Sequence, residues 1–480
     1  MEAQSKQLLV VEMIKHLVIL LLFANLSACS WKNPFSADSL VQRDQEAVKT
    51  QLAEKYHNTL NLEQAVELAL ERNLDLQVAR LKQEIAKIDK QIAIGNLLPQ
   101  VNILADYTKN CDQLHLGVPT KSLGLPANLA LPVLDSSFYG YSLNAQLPIF
   151  VPSLWFLVSA KDKGAGIQSL LTSLSEKLVT LSVMSEYFYM LSLESEENAL
   201  QNEKLSAEEL CRQAEISLKT ESILPWEFEE ARAYYLSKEL ALQQNKREQQ
   251  IAYFQTLQSL HIPFSENITF LPLEKEIFAL PALEDCILQA LGHNEKWKIS
   301  ALSLQIQDDI KKSAISEFLP KIILGGSILN FDNNLLLEDN ASFLSIFGMF
   351  SIFNGFKTVN EYRKALRQKE IAEIELIKEY WTLLTEIHSA YNSVQNASEL
   401  FTVAETNLKA QQGKFKQKQS EYKHEAIDLK DYYEALKEYH EAISFHEKAY
   451  FQYRLAVGTL AVSMGENPYG WYTTKNLTEK

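Results

Sequence analysis

Apolar side chains recur every three to four residues along most of the chain, and this spacing predicts long helices that wind around one another. Residues 429–464 show the pattern best, and a similar seam follows residues 356–420. The stretches 153–224 and 321–467 contain no proline, so the helices are expected to run without interruption. The two seven-residue series of the last helix are Leu429, Leu436, Ile443, Tyr450, Val457 and Met464, and Tyr432, Tyr439, His446, Tyr453 and Leu460. His446 is therefore interpreted as a packed core residue rather than a metal ligand.

Four shorter segments are predicted to be β-strands, at about 100–108, 138–148, 321–331 and 343–353. Residues 138–147 alternate between apolar and polar without error, residues 101–107 alternate less cleanly, and the last two segments are more continuously apolar. Each has roughly the 9–11 residues that a tilted strand needs to cross a membrane. In the second segment one side is polar and consists of Gly140, Ser142, Asn144 and Gln146. The opposite side is predicted to face lipid and includes Tyr139, Tyr141, Leu143 and Leu147.

The chain contains an internal duplication. Residues 62–101 align without a gap to residues 283–322 at an offset of 221, with about 12 of 40 positions identical. A second match, at an offset of 204, pairs residues 219–231 with residues 423–435. The predicted domains are a first repeat at 61–268 and a second repeat at 280–466, followed by a tail at 467–480. Each repeat reads helix, strand, strand, long helix, turn, helix.

The N-terminal segment resembles a lipoprotein export signal. A short apolar run, 17–24, follows Lys15 and leads to Leu26-Ser-Ala-Cys29. Residues 1–28 are predicted to be the signal peptide, with translation beginning at Met13. Cys29 is predicted to carry a covalent lipid and to begin a lipidated linker at 29–60. Ser30, rather than Asp, follows the cysteine and resembles an outer-membrane address.

Composition excludes several functions. Gly is 15 and Pro 13 of 480 residues, which disfavours a turn-rich all-β fold. The net charge of −15 does not suggest a nucleic-acid binder. Glycine-rich phosphate loops and zinc or nucleophile motifs do not occur, so we predict a protein that is not an enzyme and binds no metal or cofactor besides the lipid. The sequence does not assign a role to Cys111, Cys211 or Cys286.

Four strands in lipid would leave open edges, so the chain is expected to oligomerise if they lie in a membrane. Two copies would supply eight strands and three copies twelve. Two other classes of protein are weighed for this chain. A periplasmic adaptor would have one helical hairpin between β-rich halves, and a structural coiled-coil lipoprotein would lack the alternating strand at 138–147.

Residues 58–466 resemble the TolC-type outer-membrane efflux proteins, specifically their lipoprotein branch. The resemblance rests on Leu62 to Asn73, on Leu97-Leu-Pro-Gln-Val101, on the repeat of both in the second copy, and on Phe353-Asn-Gly355. It implies a mixed α and β fold, with a homotrimer that forms a 12-stranded outer-membrane β-barrel continued by a periplasmic α-helical barrel. It also implies an outer-membrane channel of a tripartite efflux or type I secretion system in a Gram-negative bacterium, with a periplasmic adaptor and an inner-membrane transporter as partners.

The two hairpin turns are the predicted adaptor-docking tips. They match at Lys219 and Lys423, Glu221 and Glu425, and Ile223 and Ile427, so we expect similar chemistry at all six tips of a trimer. The family usually has glycine at the position of Glu221 and Glu425. Either the turn forms without a positive φ or the alignment is shifted. Four lysines before the second turn either line an anion-favouring tunnel entrance or face solvent; they are Lys409, Lys414, Lys416 and Lys418.

Overall fold

A computed structural model defines the fold of this protein. It describes residues 37–51, 59–109, 115–118, 129–132, 137–264, 268–272, 277–332, 340–424, 426–427 and 429–469. The chain divides into two compact units. The smaller comprises Met1–Thr59 with Ile262–Thr269 and includes helix α1 (Ala37–Gln51). The larger comprises Leu60–His261 with Phe270–Lys480 and contains all the elements considered as a functional site below.

The first half of the chain begins with strand β1 (Thr59–Leu60), which later pairs with β6 (Thr269–Phe270). The elements that follow are α2 (Leu62–Arg72), α3 (Leu74–Gly95), β2 (Gln100–Lys109), β3 (His115–Val118), β4 (Leu129–Pro132), β5 (Ser137–Phe150), α4 (Pro152–Lys219) and α5 (Pro225–Ser259). The short β3–β4 hairpin was not predicted from the sequence. In the sequence it falls between β2 and β5. Among the described residues its two strands pair only with each other.

The second half repeats this order of elements. It consists of α6 (Leu283–His293), α7 (Glu295–Ser316), β7 (Lys321–Asp332), β8 (Asn340–Met349), α8 (Lys357–Lys423) and α9 (Leu429–Ser463). The corresponding helices of the two halves have 11 and 11, 22 and 22, 68 and 67, and 35 and 35 residues. At about 1.5 Å per residue, α4 and α8 are each about 100 Å long.

Asparagine side chains separate the two short helices of each half. Asn73 accepts a hydrogen bond from the main-chain N–H of Leu76 at 3.0 Å, and Asn294 accepts one from Trp297 at 3.0 Å. Each caps the first turn of the following helix, α3 or α7, where the N–H groups have no helical partner. The paired asparagines found in the sequence repeat therefore set matching helix boundaries.

The four long strands form one antiparallel sheet in the order β2-β5-β7-β8. The strand ends that join helices all lie at the same end of the sheet, because Phe150 pairs with Ile322 and Lys321 pairs with Met349. The predicted bounds of the last strand, 343–353, are three residues late at its start and four residues late at its end. Strand β8 ends at Met349 because its partner begins at Lys321, directly after Pro320, which has no N–H to extend the ladder.

The helices pack in two successive sets. Near the sheet the order of neighbours is α3, α4, α7 and α8, and farther from it the order is α5, α4, α9 and α8. The long helices α4 and α8 belong to both sets. Aromatic rings fill the centre of the second set, where Phe188 stacks on Phe451 at 5.3 Å between ring centroids. His446 is buried there, 5.0 Å from the ring of Phe401, as expected for a core residue.

Candidate functional site: sheet faces, helix seams and hairpin turns

The register of the sheet divides its side chains into two faces. Leu143 lies opposite Ile103 on β2 and Ile328 on β7, while Tyr139 lies opposite Tyr107. Tyr141 and Leu147 share this face, which is apolar over most of its length. The rings of Tyr107 and Tyr139 contact each other with centroids 4.9 Å apart. All four residues that were predicted to face lipid therefore lie on a single apolar face, and their contact with lipid remains a prediction.

The opposite face is largely polar on β2 and β5, with Leu104 as an apolar exception on β2. Ser327 donates to the Asn144 side-chain oxygen at 2.7 Å, and Asn144 donates to Ser142 at 2.9 Å. Strand β8 differs from this pattern, because Phe347 lies over Gly325 on the same face. A Cβ added at Gly325 would come within 2.6 Å of the Phe347 ring, so the absence of a side chain there makes room for the aromatic ring.

Ion pairs hold the neighbouring helices together near the sheet. Lys163 pairs with Asp309 and Lys177 with Glu295, both between α4 and α7. Only 13% of the Lys177 side chain and 5% of the Glu295 side chain is exposed. Lys177 also donates to the carbonyl of Gly465 at 2.6 Å, beyond the end of α9. This pair therefore ties together three helices from both halves of the chain, and the sequence alone did not reveal it.

The next seam, between α7 and α8, has a surface ion-pair network. Asp308 accepts hydrogen bonds from Lys369 at 2.9 Å, while Lys312 lies 2.7 Å away. Hydrogen bonds from Lys312 and Lys369 lower the pKa of the Asp308 carboxyl to about 2. Asp308 is thus a packing residue held by two lysines rather than a catalytic acid.

Two tyrosines fix the orientation of the long helices. The Tyr187 hydroxyl on α4 donates to the Leu271 carbonyl at 2.5 Å, and the Tyr391 hydroxyl on α8 donates to the Pro281 carbonyl at 3.2 Å. Burial raises the pKa of Tyr187, so the phenol keeps its proton and remains a donor. The two tyrosines are 204 residues apart, the offset of the second sequence match.

The outer helices of the first set expose apolar stripes. On α3 the stripe is Leu74, Val78, Leu81, Ile85, Ile88 and Ile92, and on α8 it is Ile371, Ile374, Ile377 and Trp381. The α3 residues follow three- and four-residue steps, the spacing of a coiled-coil seam. Within the chain each stripe lies on the last helix of the row, so its face has no packing helix among the described elements.

A cleft of about 830 Å³ lies between α4, α8 and the junction of α7 with α9. Its apolar lining includes Leu174, Leu178 and Trp381, and its hydroxyl groups come mainly from α8. Leu174 and Leu178 project from the side of α4 opposite Tyr187, since they lie about half a helical turn from it. On α8, Thr382 lies opposite Tyr391 in the same way, whereas Trp381 is about a quarter of a turn from Tyr391.

The first predicted docking turn joins α4 to α5 and contains a strained residue. Glu221 has φ of 56°, a left-handed conformation that glycine usually adopts. The N–H of Ser222 donates to the Ser217 carbonyl at 2.8 Å and that of Glu221 to the Leu218 carbonyl at 3.0 Å, the two bonds of a Schellman cap. The first alternative raised from the sequence, a turn without a positive φ, is therefore wrong for Glu221, and the positive φ lies at the position where the family has glycine.

The second turn joins α8 to α9 and has a related main-chain bond. The N–H of Ala426 donates to the Glu421 carbonyl at 2.9 Å, at positions that match Ser222 and Ser217. Glu425 lies outside the described residues. Lys219 and Lys423 are exposed, while Ile223 and Ile427 are half-buried. Lys219 donates to Glu215 at 2.6 Å, which lowers the pKa of that carboxyl.

The lysines that precede the second turn are largely paired with acids. Lys409 contacts Glu405 at 2.9 Å, Lys418 contacts Glu421 at 2.9 Å, and Lys414 pairs with Glu438. Lys416 is exposed. Neutralisation by neighbouring acids favours the solvent-facing interpretation of this cluster over an anion-selective entrance.

The remaining features are the cysteines, possible metal-binding groups and possible membrane-spanning helices. Cys29 and Cys111 lie outside the described residues, whereas Cys286 is buried and Cys211 half-buried. In the part of the chain that the structure describes, no group of three or more His, Cys, Asp or Glu side chains is placed to hold a metal ion. None of the described helices combines the length and the apolar character needed to span a membrane.

Comparison with known proteins identifies the fold. No family model and no curated protein matches the sequence. Among solved structures, the chain is similar to the Campylobacter jejuni CmeC outer membrane channel, with 18% identity over 87% of this chain and 88% of CmeC and a TM-score of 0.69. It is also similar to the outer membrane protein VceC from Vibrio cholerae, with 14% identity over 85% and 96% of the two chains and a TM-score of 0.64. The open-state Neisseria gonorrhoeae MtrE outer membrane channel matches with 15% identity, coverage of 85% and 89%, and a TM-score of 0.62.

These matches span nearly the full length of each relative, so the chain has the fold of outer membrane channels. The resemblance to TolC-type proteins that the sequence predicted is confirmed for the fold, as is a mixed structure dominated by helices. The named relatives are channels and outer membrane proteins rather than enzymes, in agreement with the sequence prediction.

Proposed function

We propose that this protein is the outer-membrane channel of a tripartite efflux or type I secretion system. Substrates would pass through it from a periplasmic adaptor and an inner-membrane transporter to the outside without chemical change. One observation carries the proposal: at one end of its strands, a four-stranded sheet with an apolar face continues directly into helices about 100 Å long. The sheet suits the membrane, and the helices suit a conduit through the periplasm.

The unpaired strand edges support an oligomer, which we take to be the homotrimer that the resemblance implies. In the described chain, β2 pairs only with β5 and β8 only with β7. Edges of this kind are not tolerated in lipid, because their N–H and C=O groups would lack partners. Pairing β8 of one copy with β2 of the next closes the sheet, and three copies yield a barrel of twelve strands.

The repeated helices support a specific contact between copies. When the two halves of the chain are aligned so that Tyr187 matches Tyr391, Lys177 on α4 matches Trp381 on α8. Glu295 on α7 corresponds to Leu74 on α3, at the offset of the first sequence match. Within the chain Lys177 pairs with Glu295, whereas Trp381 is 62% and Leu74 51% exposed. In the trimer Trp381 of one copy would pack on Leu74 of the next and bury both apolar stripes.

We expect the adaptor to dock on the two hairpin turns, at the end of the long helices away from the sheet. The residues predicted for this contact are Lys219, Glu221, Ile223, Lys423, Glu425 and Ile427. A trimer presents six such turns, which suits a ring of adaptor subunits.

A lipid on Cys29 would be a second anchor beside the barrel. The motif Leu26–Cys29 after an apolar run supports this assignment. Labelled palmitate should be incorporated into wild type and lost in Cys29→Ser. Equal labelling of both proteins would remove the anchor from the proposal and leave the channel untouched.

The channel itself is tested in planar bilayers. Detergent-extracted full-length protein should run as a trimer and produce discrete ion-conducting steps. A monomer, or a trimer that never conducts over a range of protein concentrations and voltages, would contradict the channel function.

A further inference from the structure

The two kinds of hairpin share a main-chain turn but differ in the chemistry that they expose. Between 205 and 236 the first hairpin, formed by α4 and α5, has seven acidic and three basic side chains. The matching stretch 409–440 of the second hairpin, formed by α8 and α9, has six acidic and seven basic side chains. The expectation of similar chemistry at all six tips therefore does not extend beyond the turn itself.

The acidic excess of the first hairpin faces solvent. Its three basic side chains each have an acidic neighbour on the same helix: Arg212 with Glu209, Lys219 with Glu215, and Arg232 with Glu229. The exposed acids that remain include Glu208, Glu221 and Glu230. The end of the first hairpin is consequently a negative surface that favours a basic partner.

An apolar patch lies within this negative surface. Ile216 is 48%, Leu224 58% and Trp226 61% exposed. At the matching places of the second hairpin the sequence has Ser420, Asp428 and Lys430. Every apolar member of the patch thus has a polar counterpart, so the patch is a property of the first hairpin alone.

The patch is held on a well-formed helix start. Pro225 is at the beginning of α5, and the Glu227 carboxylate accepts a hydrogen bond from the Leu224 N–H at 2.7 Å. Trp226 therefore projects from a backbone that is already ordered. An exposed tryptophan on a rigid element loses little conformational freedom on binding and is the residue type most enriched among binding hot spots.

In the second hairpin, aromatic side chains of the two helices stack on one another. Phe415 stacks on Tyr439 with centroids 5.3 Å apart, and Tyr422 stacks on Tyr432 at 4.9 Å. The corresponding residues of the first hairpin are Cys211 with Tyr235 and Leu218 with Phe228. The rings between α8 and α9 thus contribute to the packing of that hairpin, while Trp226 on the first hairpin is exposed.

We propose that the adaptor binds the trimer chiefly through the first hairpin, at three strong sites that alternate with three weak ones. The strong site is the patch of Ile216, Leu224 and Trp226 with its acidic surroundings. It fits a helical tip that presents an apolar side chain beside a lysine or arginine. This inference rests on the proposed channel function and adds which turn carries the partner.

Trp226 and Lys430 are matched positions, so they provide the variant and its control. The probe is the epitope-tagged adaptor of the native host, cross-linked in living cells to wild type, Trp226→Lys, Trp226→Phe and Lys430→Ala. Loss of a hot-spot tryptophan should lower the cross-linked yield at least about tenfold, while Trp226→Phe retains most of it. Lys430→Ala should change the yield less than about twofold. Trimer yield and bilayer conductance should be unchanged throughout.

Three results would overturn the inference. Equal losses in Trp226→Lys and Lys430→Ala would mean that both hairpins bind alike, with the proposed channel function intact. A lower trimer yield in Trp226→Lys would assign the patch to the contact between copies. Failure of wild type itself to cross-link would remove the adaptor from the proposed function, and this inference with it.

Discussion

Lys177 and Glu295 form a buried ion pair that joins the first half of the chain to the second. Removing one partner leaves the other charge buried, a change that costs about 3–5 kcal/mol. Lys177→Ala should therefore lower the thermal midpoint of the trimer and expose α4 and α7 to protease. The double variant Lys177→Met, Glu295→Leu should recover most of the loss, because packed apolar pairs tolerate such sites. A double variant less stable than Lys177→Ala would contradict this account of the pair.

The orientation of the sheet is tested with adjacent residues on opposite faces. Leu143 lies opposite Ile103 and Ile328, whereas Asn144 lies opposite Asn102 and Ser327. A lysine on a lipid-facing side at the bilayer midplane costs about 2–4 kcal/mol, and lumen-facing positions are far more tolerant. Leu143→Lys should reduce the trimer extracted from outer membranes, while Asn144→Lys should not. Equal yields would reverse or abolish the assigned faces.

The contact between copies is tested by cysteine cross-linking. Leu74→Cys combined with Trp381→Cys should produce a covalent dimer and trimer ladder under mild oxidation, provided that the two Cα atoms approach within about 7 Å. Each single variant should remain monomeric on a denaturing gel, which also controls for Cys211 and Cys286. Leu74→Cys with Thr382→Cys tests the register, since Thr382 lines the cleft. More efficient linkage through Thr382 than through Trp381 would contradict the proposed alignment of the helices.

The left-handed conformation of Glu221 predicts a stabilising substitution. A residue with a Cβ pays about 1–2 kcal/mol for this conformation, which glycine adopts freely. Glu221→Gly should therefore stabilise the first hairpin by up to about 1 kcal/mol, after the greater freedom of glycine in the unfolded chain is allowed for. Hydrogen exchange at the end of α4 should slow. Glu221→Ala, the control, keeps the strain and should give no gain; similar slowing in both variants would assign the effect to charge.

The second hairpin should weaken in mild acid through His440. Burial lowers the pKa of the His440 imidazole from its ordinary value of 6.5. As pH falls through 6.5, the unfolded chain binds a proton before the folded chain does, so stability is lost on acidification. Amide exchange near residues 436–444, corrected for intrinsic rates, should be faster at pH 5 than at pH 7. His440→Leu, which copies Leu236 of the first hairpin, should remove this difference; a difference that persists would assign it to another group.

Much of the fold was accessible from sequence because it depends on local periodicity. The seven-residue series predicted α8 and α9, and the two-residue alternation located β5 to within two residues at either end. The prediction was poorest at β8, because the largely apolar run 343–353 has no boundary of its own. That boundary comes from the end of the partner strand at Lys321, a non-local pairing. The short β3–β4 hairpin also went unpredicted because neither strand is long enough to show a period.

The sequence by itself determined the duplication and the separation of apolar from polar residues on β5. Both follow from patterns that are local in the chain. The structure, in contrast, divides the first predicted helix of each repeat into two helices, at Asn73 and Asn294. Only the tertiary structure decided that Lys177 meets Glu295, that Leu74 and Trp381 are exposed, and that Glu221 adopts a left-handed turn. An apolar residue on a helix has the same spacing whether its face is covered or bare. Which faces are covered depends on the order in which helices distant in the sequence pack side by side.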